Sequence, residues 1–187
     1  KMYIYVRQLF FPDHSTPTCN MVRQNYKRLF KTETFSTVNN DYRYQAYFAA
    51  TNWGRPVTAF TKLYDKDYEE NHQWKSNRIP GINMFRLPEM YYILAEAVYN
   101  KDKQGSLNAI NTVITARGLQ PIGMEEISTK ERFQRWIADE ITREYWGEGQ
   151  IFFTNKRLWR NMEGLNGKRI EANNETYVLP LPESEKG

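Results

Sequence analysis

Apolar residues recur at intervals of three and four along the second half of the chain, from about residue 85 onward. This spacing places them on one face of a helix that packs against a core. It predicts a helix in "FRLPEMYYILAEAVYN" and another in "GSLNAINTVITARG", joined by "KDKQG" into an antiparallel hairpin over residues 85–118. A third helix is predicted at 129–146, and the pattern resumes in "QIFFTNKRLW". The buried stripe predicted for the first helix consists of Leu87, Met90, Tyr91, Leu94 and Val98.

Residues at the expected helix ends support these assignments. Pro88 lies in the first turn of the first helix, where its missing N–H removes no hydrogen bond. Ser106 is a candidate N-cap of the second helix and Gly118 its terminator. Ser128 and Glu131 fit a capping box before the third. The apolar faces predicted for the second and third helices consist of Leu107, Ile110, Val113, Ile114, Phe133, Trp136, Ile137, Ile141 and Tyr145.

The first 84 residues lack a sustained helical pattern. A short strand is expected at residues 2–6 and a helix in "TPTCNMVRQNYKRLF". Beyond it, "YRYQAYF" and "VTAFTKLYD" are typical of strands or extended segments, whereas "TNWGRP" and "KDYEENHQWKSNRIPG" are predicted loops. The closing "ETYVLPLPESE" is expected to be extended. We therefore expect one mainly α-helical domain over residues 1–187, with tetratricopeptide-like helix hairpins, a few short strands and long loops.

Composition and charge argue against several kinds of protein. The net charge is only +4, and the basic cluster of Arg23, Lys27, Arg28 and Lys31 is more typical of a solvated helix face than of a nucleic-acid site. One cysteine, Cys19, and two histidines rule out an internal disulfide and a cysteine-rich zinc site. The chain has no run of about 18 apolar residues that would span a membrane. We expect no cofactor, no metal and no nucleic-acid partner.

Three glutamates at four-residue intervals, Glu140, Glu144 and Glu148, are the strongest candidates for acid–base chemistry. A glycosidase needs two such acids across the scissile bond. Carboxylates between packed helices are more often neutralised by arginine, because an unpaired buried charge is strongly destabilising. We therefore expect a structural ion network and no enzyme activity. The arginines available to it are Arg86, Arg117, Arg143 and Arg157.

The glycines beside Glu148 indicate a turn between helices. Gly147 and Gly149 flank it, and glycine readily adopts the positive φ that such turns use. A phosphate-binding loop would need more glycines, a lysine and a preceding strand. The stretch is therefore predicted to be a joint.

Two loop tryptophans are the candidate ligand-binding residues. Trp53 and Trp74 lie among polar neighbours. An indole can stack on the apolar face of a sugar ring while Asn52 or Arg55 bonds its hydroxyls. The alternative is that a loop tryptophan covers the core; the two are evenly balanced for Trp53, and the core is favoured for Trp74. Trp136, Trp146 and Trp159 are expected in the core.

A third candidate lies in the acidic run "DKDYEEN". Its alternating Asp65, Asp67 and Glu69 resemble the start of a calcium loop, but the glycine and the final acid of such a loop are missing. A solvated acidic turn is the favoured interpretation.

Four segments in order resemble the C-terminal half of the SusD/RagB family of outer-membrane nutrient-binding lipoproteins. They are "RLPEMYYILAEAVYN", "LNAINTVITARG", "ITREYWGEGQIFFTNKRLW" and "YVLPLPESE". "DYRYQAYF" is also similar to the family's Asp-x-Arg segment, so the resemblance covers about residues 40–185. One departure is Thr154 and Asn155, where the family commonly has an acid before its final arginine.

The resemblance implies a non-enzymatic protein on the outer-membrane surface that binds oligosaccharide or polysaccharide and delivers it to a TonB-dependent, SusC-like transporter. Family members are usually more than twice this long and carry a lipidated cysteine, and Cys19 is not in a lipobox. The chain then corresponds to the C-terminal portion, with residues 1–84 facing ligand and residues 85–187 as the helical scaffold. Its lipid anchor would lie outside this sequence. The alternative is a helical-repeat scaffold that binds peptide or protein without a sugar site.

Overall fold

Helices dominate the part of the chain that the computed structural model describes, which comprises residues 28–31, 40–51, 57–60, 62, 85–163, 168–178, 180 and 182. The elements in chain order are α1 (Tyr42–Tyr47), β1 (Phe48–Thr51), β2 (Val57–Phe60), α2 (Leu87–Val98), α3 (Lys103–Ala116), a 3-10 turn (Met124–Ile127), α4 (Lys130–Glu144), α5 (Gln150–Arg157), β3 (Met162–Glu163), β4 (Arg169–Ile170) and α6 (Asn174–Tyr177). Residues 28–30 are also helical. The predicted mainly α-helical fold class is confirmed. None of the described helices has the length and apolar character needed to cross a membrane.

The predicted hairpin is formed by α2 and α3, but its N-cap differs from the expectation. Asp102 caps α3, because its side chain accepts a hydrogen bond from the Gly105 amide at 2.8 Å. Ser106 lies inside the helix, is buried, and donates from Oγ to the Ala95 carbonyl at 2.8 Å. That hydrogen bond joins the two helices across their interface. Gly118 ends α3 with φ of +82°, as predicted.

The third predicted helix is α4, and its cap lies one residue later than expected. Thr129 is the N-cap and accepts a hydrogen bond from the Arg132 amide at 3.3 Å. The expected capping box of Ser128 and Glu131 is therefore replaced by Thr129. The predicted apolar faces of α3 and α4 are confirmed, with Trp136 partly buried against the cluster. Their buried members are Leu107, Ile110, Val113, Ile114, Phe133, Ile137, Ile141 and Tyr145.

The stripe predicted for α2 is wrong at three positions. Leu87, Met90 and Leu94 are 68%, 46% and 48% exposed. The buried face is instead carried by Tyr92, Ala95 and Tyr99. Each tyrosine hydroxyl finds a buried acceptor there: Tyr92 donates to Glu140 at 2.9 Å, and Tyr99 to the Ile127 carbonyl at 2.7 Å. Burying an aromatic body whose polar tip is satisfied removes more surface than burying leucine, and the small Ala95 lets α3 approach.

The segment before the first strand is helical, not extended as expected. The Asp41 carboxylate accepts from the Arg43 amide at 3.0 Å, and this side-chain bond favours a helix start in α1. The chain then enters β1, which pairs antiparallel with β2. In this register Phe48 lies opposite Phe60, and Thr51 opposite Val57. The expectation of extended structure is therefore met in β1 and β2.

The end of the chain also differs from the predicted extended segment. Asn173 caps a helical turn, α6, by accepting from the Thr176 amide at 2.8 Å. Tyr177 is buried by this turn and donates from its hydroxyl to the Arg160 carbonyl. A local side-chain cap thus outweighs the extended tendency of the following prolines.

Several predicted elements lie outside the described residues. They are the strand at 2–6, most of the helix in "TPTCNMVRQNYKRLF", all of the loop "TNWGRP" except Thr51, the end of "VTAFTKLYD" apart from Lys62, and the loop "KDYEENHQWKSNRIPG". The end of that helix is described, and Leu29 and Phe30 are buried in it.

A matched pair of substitutions tests which face of the hairpin is buried. Leu107→Ala should lower the free energy of unfolding by roughly 2–5 kcal/mol, because this side chain is only 6% exposed. Leu94→Ala should lower it by less than about 1 kcal/mol, because half of this side chain is in solvent. Chemical denaturation measures both. Equal losses, or a larger loss for Leu94→Ala, would mean that the hairpin presents the opposite face to the core.

Candidate functional site

Two glutamates on α4, one helical turn apart, form the centre of a buried ion network. Glu140 and Glu144 are both 0% exposed. Arg43 contacts both, with Nη1 2.6 Å from Glu140 Oε1 and 3.2 Å from Glu144 Oε2. Arg143 lies 2.6 Å from the second Glu140 oxygen, and Arg117 lies 2.8 Å from Glu144. The ion network predicted for these acids is confirmed.

Arg43 is the residue of this network that sequence reasoning missed. It is buried, and its guanidinium is held by Asp41, with Nε and Nη2 at 2.9 Å and 2.8 Å from the two carboxylate oxygens. In the sequence, the only signal for a buried arginine is Asp41, which precedes Arg43 by two residues and can neutralise it. A single arginine in an aromatic run has no periodicity that would reveal its partners on a distant helix.

The arginines keep the buried carboxylates ionised. Burial alone would raise the pKa of Glu140, but the Arg143 and Arg43 guanidiniums outweigh it and lower that pKa to about 2. The pKa of Glu144 is also lowered: burial opposes the shift, and Arg117, Arg43 and Arg86 cause it. A glycosidase acid instead needs a raised pKa so that it carries a proton at working pH. These two carboxylates are therefore suited to holding helices together.

The joint after α4 carries a second group of cations. Arg86 Nη2 and Lys62 Nζ donate to the Glu144 carbonyl at 2.8 Å and 2.7 Å, where the helix dipole is negative. Both cations also pair with Glu148. The chain turns here through Gly147 and Gly149, at φ of +80° and +81°, which confirms the predicted joint.

Aromatic rings cover these two cations. The Lys62 ammonium lies 4.1 Å from the Tyr47 ring centroid, and the Arg86 guanidinium lies 4.4 Å from that of Tyr145. Such contacts stabilise a cation that has lost part of its water. Burial lowers the pKa of Lys62, although Glu148 opposes the shift. The joint is thus a partly dry, charged junction of α1, Lys62, Arg86 and the end of α4.

Arg157 near the end of α5 is paired with an acid on another helix. Arg157 forms a bidentate ion pair with Glu96 of α2, in which Arg157 Nη2 lies 2.8 Å from Glu96 Oε1. Thr154, which stands where an acid is common, instead donates to the Gln150 carbonyl at 3.0 Å. Arg157 thus neutralises a glutamate, as expected, but its partner is Glu96 of α2 and not one of the three glutamates at the end of α4.

Clefts open on both sides of α4. One, of about 980 Å³, lies between residues 28–31 and α4, and charges of both signs line it, including the paired Arg28 and Asp139. The other, of about 430 Å³, lies between α2 and α5 and is bounded by Ile93 and Phe153. Both are open to solvent along their length. The described residues contain no group of three or more His, Cys, Asp or Glu side chains placed to hold a metal ion.

The predicted ligand-binding residues Asn52, Trp53, Arg55 and Trp74 lie outside the described residues, as do the acids Asp65, Asp67 and Glu69. The expectation for the other tryptophans is correct in part. Trp136 and Trp146 are half-buried, whereas Trp159 is 54% exposed and therefore does not lie in the core as expected. The core position at this corner is taken by Tyr177, whose ring centroid lies 5.7 Å from that of Trp159.

Trp159 also has an unfavourable backbone conformation. Its φ is +51°, in the left-handed region that costs a residue with a side chain roughly 1–2 kcal/mol. The conformation closes α5: the Trp159 amide donates to the Lys156 carbonyl at 3.1 Å, and the Arg160 amide to the Asn155 carbonyl at 2.9 Å. Glycine is the usual residue at this position.

Comparison with known protein families gives one match. Residues 15–185 match the sequence model of the SusD family. Its members are outer-membrane-associated proteins that bind glycans for nutrient uptake, and the helical architecture of this chain agrees with their fold. Searches of curated proteins and of solved structures gave no match.

The network makes stability depend on pH below 5. Glu140 has a folded pKa of about 2, below its ordinary value of 4.5, so its contribution is complete above about pH 5 and is lost as pH falls towards 2. Glu140→Gln should lower the free energy of unfolding at pH 7 by roughly 3–5 kcal/mol, because buried arginines lose their partner. It should also flatten the pH dependence between 5 and about 2. Denaturation at a series of pH values measures both effects.

The matched control for Glu140→Gln is Glu126→Gln, which removes an exposed acid from the 3-10 turn. It should leave both stability and its pH dependence near those of the wild type. A steep acid transition that persists in Glu140→Gln would contradict the assignment of this transition to the buried network.

Glu148→Gln tests the junction at the end of α4. The substitution removes the negative charge shared by Lys62 and Arg86, so the melting temperature should fall. Sugar binding by the folded protein should remain close to wild type, because the carboxylate faces these two cations. A variant with wild-type stability that had lost sugar binding would show that Glu148 contacts ligand.

Proposed function

The chain belongs to the SusD family, and we propose that it captures oligosaccharide at the outer-membrane surface and delivers it to a SusC-like, TonB-dependent transporter. The observation that carries this proposal is the family match over residues 15–185. Attachment to the membrane would be through a lipid anchor. The mechanism is binding and release, so no catalytic residue is assigned.

The ionisation of the buried acids supports binding over catalysis. Glu140 and Glu144 are locked between arginines and have lowered pKa values. A carboxylate held in this state does not donate a proton to a leaving group near neutral pH. The most conspicuous acids of the sequence therefore act in the scaffold, in agreement with a protein that binds sugar without cleaving it.

The sugar site in this proposal lies in the loop-rich segment of residues 1–84, supported by the helical scaffold of residues 85–187. Trp53 would stack on a sugar ring, with Asn52 and Arg55 bonding its hydroxyls and Trp74 as a further contact. Asn52, Trp53 and Arg55 belong to the stretch of sequence between Thr51 and Val57. These two residues are register partners in the β1–β2 pair. Both ends of that stretch are thus held by a strand pair.

The ion network anchors the same strand pair from both sides. Arg43 lies in α1, directly before β1, and contacts Glu140 and Glu144. Lys62 lies two residues after β2 and contacts Glu148 and the Glu144 carbonyl. Since positioning of binding groups on a rigid support limits the entropy lost on binding, this anchoring supports a ligand site between the strands.

Calorimetric titration with a panel of polysaccharides and oligosaccharides tests the proposed function. Binding of at least one glycan, without release of reducing sugar, is the expected result. Release of reducing sugar would show an enzyme. Failure to bind any glycan, together with specific binding of a peptide, would favour the helical-repeat scaffold instead.

Trp53→Ala tests the proposed stacking residue in the full-length protein. The substitution should weaken glycan binding by roughly 1–3 kcal/mol, the usual effect of removing one well-placed side chain at a binding site. Phe85→Ala, which removes an aromatic ring that is 85% exposed, is the control and should bind as the wild type does. Thermal denaturation establishes that both variants are folded. Unchanged binding in Trp53→Ala would place the sugar elsewhere.

A further inference from the structure

The helices α3 and α5 end in the same hydrogen-bonded turn but with different residues at the same position. At the end of α3 the Gly118 amide donates to Thr115 at 3.0 Å and the Leu119 amide to Ile114 at 3.1 Å, with Gly118 at φ of +82°. At the end of α5 the equivalent residue is Trp159, at φ of +51°. At the end of α5 a tryptophan, the largest side chain, therefore occupies a position that glycine would occupy without strain.

Packing in the core does not account for this tryptophan. Trp159 is 54% exposed, whereas Leu158, the preceding residue, packs against the core. Tyr177 beneath the indole is 1% exposed and is also packed against Phe152, with ring centroids 5.6 Å apart. Backbone strain that no buried contact requires is a reason to look for a function of the side chain.

The surroundings hold the indole as a firm platform. The Trp159 ring contacts the Tyr177 ring at an interplanar angle of 50°, and the Tyr177 hydroxyl donates to the carbonyl of Arg160, the residue after Trp159. The two amide hydrogen bonds of the turn hold the Trp159 backbone. A large, flat and already ordered ring loses little entropy when a ligand stacks on it.

The chain after Trp159 carries exposed charges of both signs. They are Glu163, Lys168, Arg169 and Glu171. A site for nucleic acid would concentrate cations on one face. A sugar ring, by contrast, needs only a flat apolar surface for its C–H face and hydrogen-bonding groups at its edge, and the polar Asn155 and Lys156 precede Trp159 by four and three residues.

We propose that Trp159 is a second sugar-stacking residue, in addition to Trp53, and that it binds a pyranose unit of the glycan. This inference rests on the proposed function, since it takes glycan as the ligand. The exposed ring, its support by Tyr177 and its position in a turn that favours glycine are the observations that carry it.

Glycan titration of three variants tests this site. Trp159→Gly keeps the turn and removes the ring; it should remain folded and bind the best oligosaccharide of the panel about tenfold more weakly. Trp159→Phe keeps a smaller flat ring at this position, so its affinity should lie between that of Trp159→Gly and that of the wild type. Phe85→Ala is again the control for loss of an exposed aromatic ring and should bind as the wild type does.

A second measurement follows the indole itself. The chain has 5 tryptophans, so an NMR spectrum of the indole N–H groups has few signals, and the signal that disappears in Trp159→Phe belongs to Trp159. Oligosaccharide should shift this signal. This measurement is independent of the stability of the Trp159→Gly variant.

The outcomes separate this inference from the proposed function. If wild-type protein binds glycan, Trp159→Gly binds it equally well and the Trp159 signal does not move, only the second site is overturned. If wild-type protein binds no glycan in the panel, the proposed function and the second site are both overturned.

Discussion

The burial of two ionised carboxylates is the constraint on which the described structure depends. Glu140 and Glu144 are completely removed from solvent, and each must therefore be neutralised by a cation held at a fixed place. Arg43, Arg117 and Arg143 supply this neutralisation from three different segments. Loss of a single partner would leave an uncompensated charge in the interior. The network thus specifies which segments meet at α4, in addition to holding them there.

The same constraint explains features of the chain that are otherwise unconnected. Tyr92 faces inwards on α2 because its hydroxyl reaches Glu140, which turns the leucines of that helix outwards. The glycines of the joint let Glu148 return towards Lys62 and Arg86. Ion pairs thus hold the chain on both sides of the strand pair β1–β2, through Arg43 before it and Lys62 after it.

Trp159 differs from the buried acids because its backbone conformation lowers the stability of the fold. The buried acids are stabilised by every neighbour, whereas this residue occupies a strained position that glycine would occupy freely. Its ring contacts the buried Tyr177 and is 54% exposed. The scaffold and the proposed ligand contact therefore use different side chains. Buried charged residues hold the helices together, whereas the exposed Trp159 lies at the end of α5.

The amino-acid sequence by itself determined the helices α2 to α5, their turns and the pairing of acids with arginines. These depend on local physics: apolar spacing, the conformational freedom of Gly118, Gly147 and Gly149, and the high cost of a buried charge. The sequence also suggested the stacking residue Trp53 from residue type and neighbours, and that suggestion stays a prediction. Only the tertiary structure decided the inward face of α2, the burial of Arg43 and the exposure of Trp159. Each of these depends on residues far away in the chain: Glu140 for Tyr92 and Arg43, and Tyr177 for Trp159. No spacing within a single segment encodes which distant group will satisfy a hydroxyl, neutralise a guanidinium or take the place of an indole in the core.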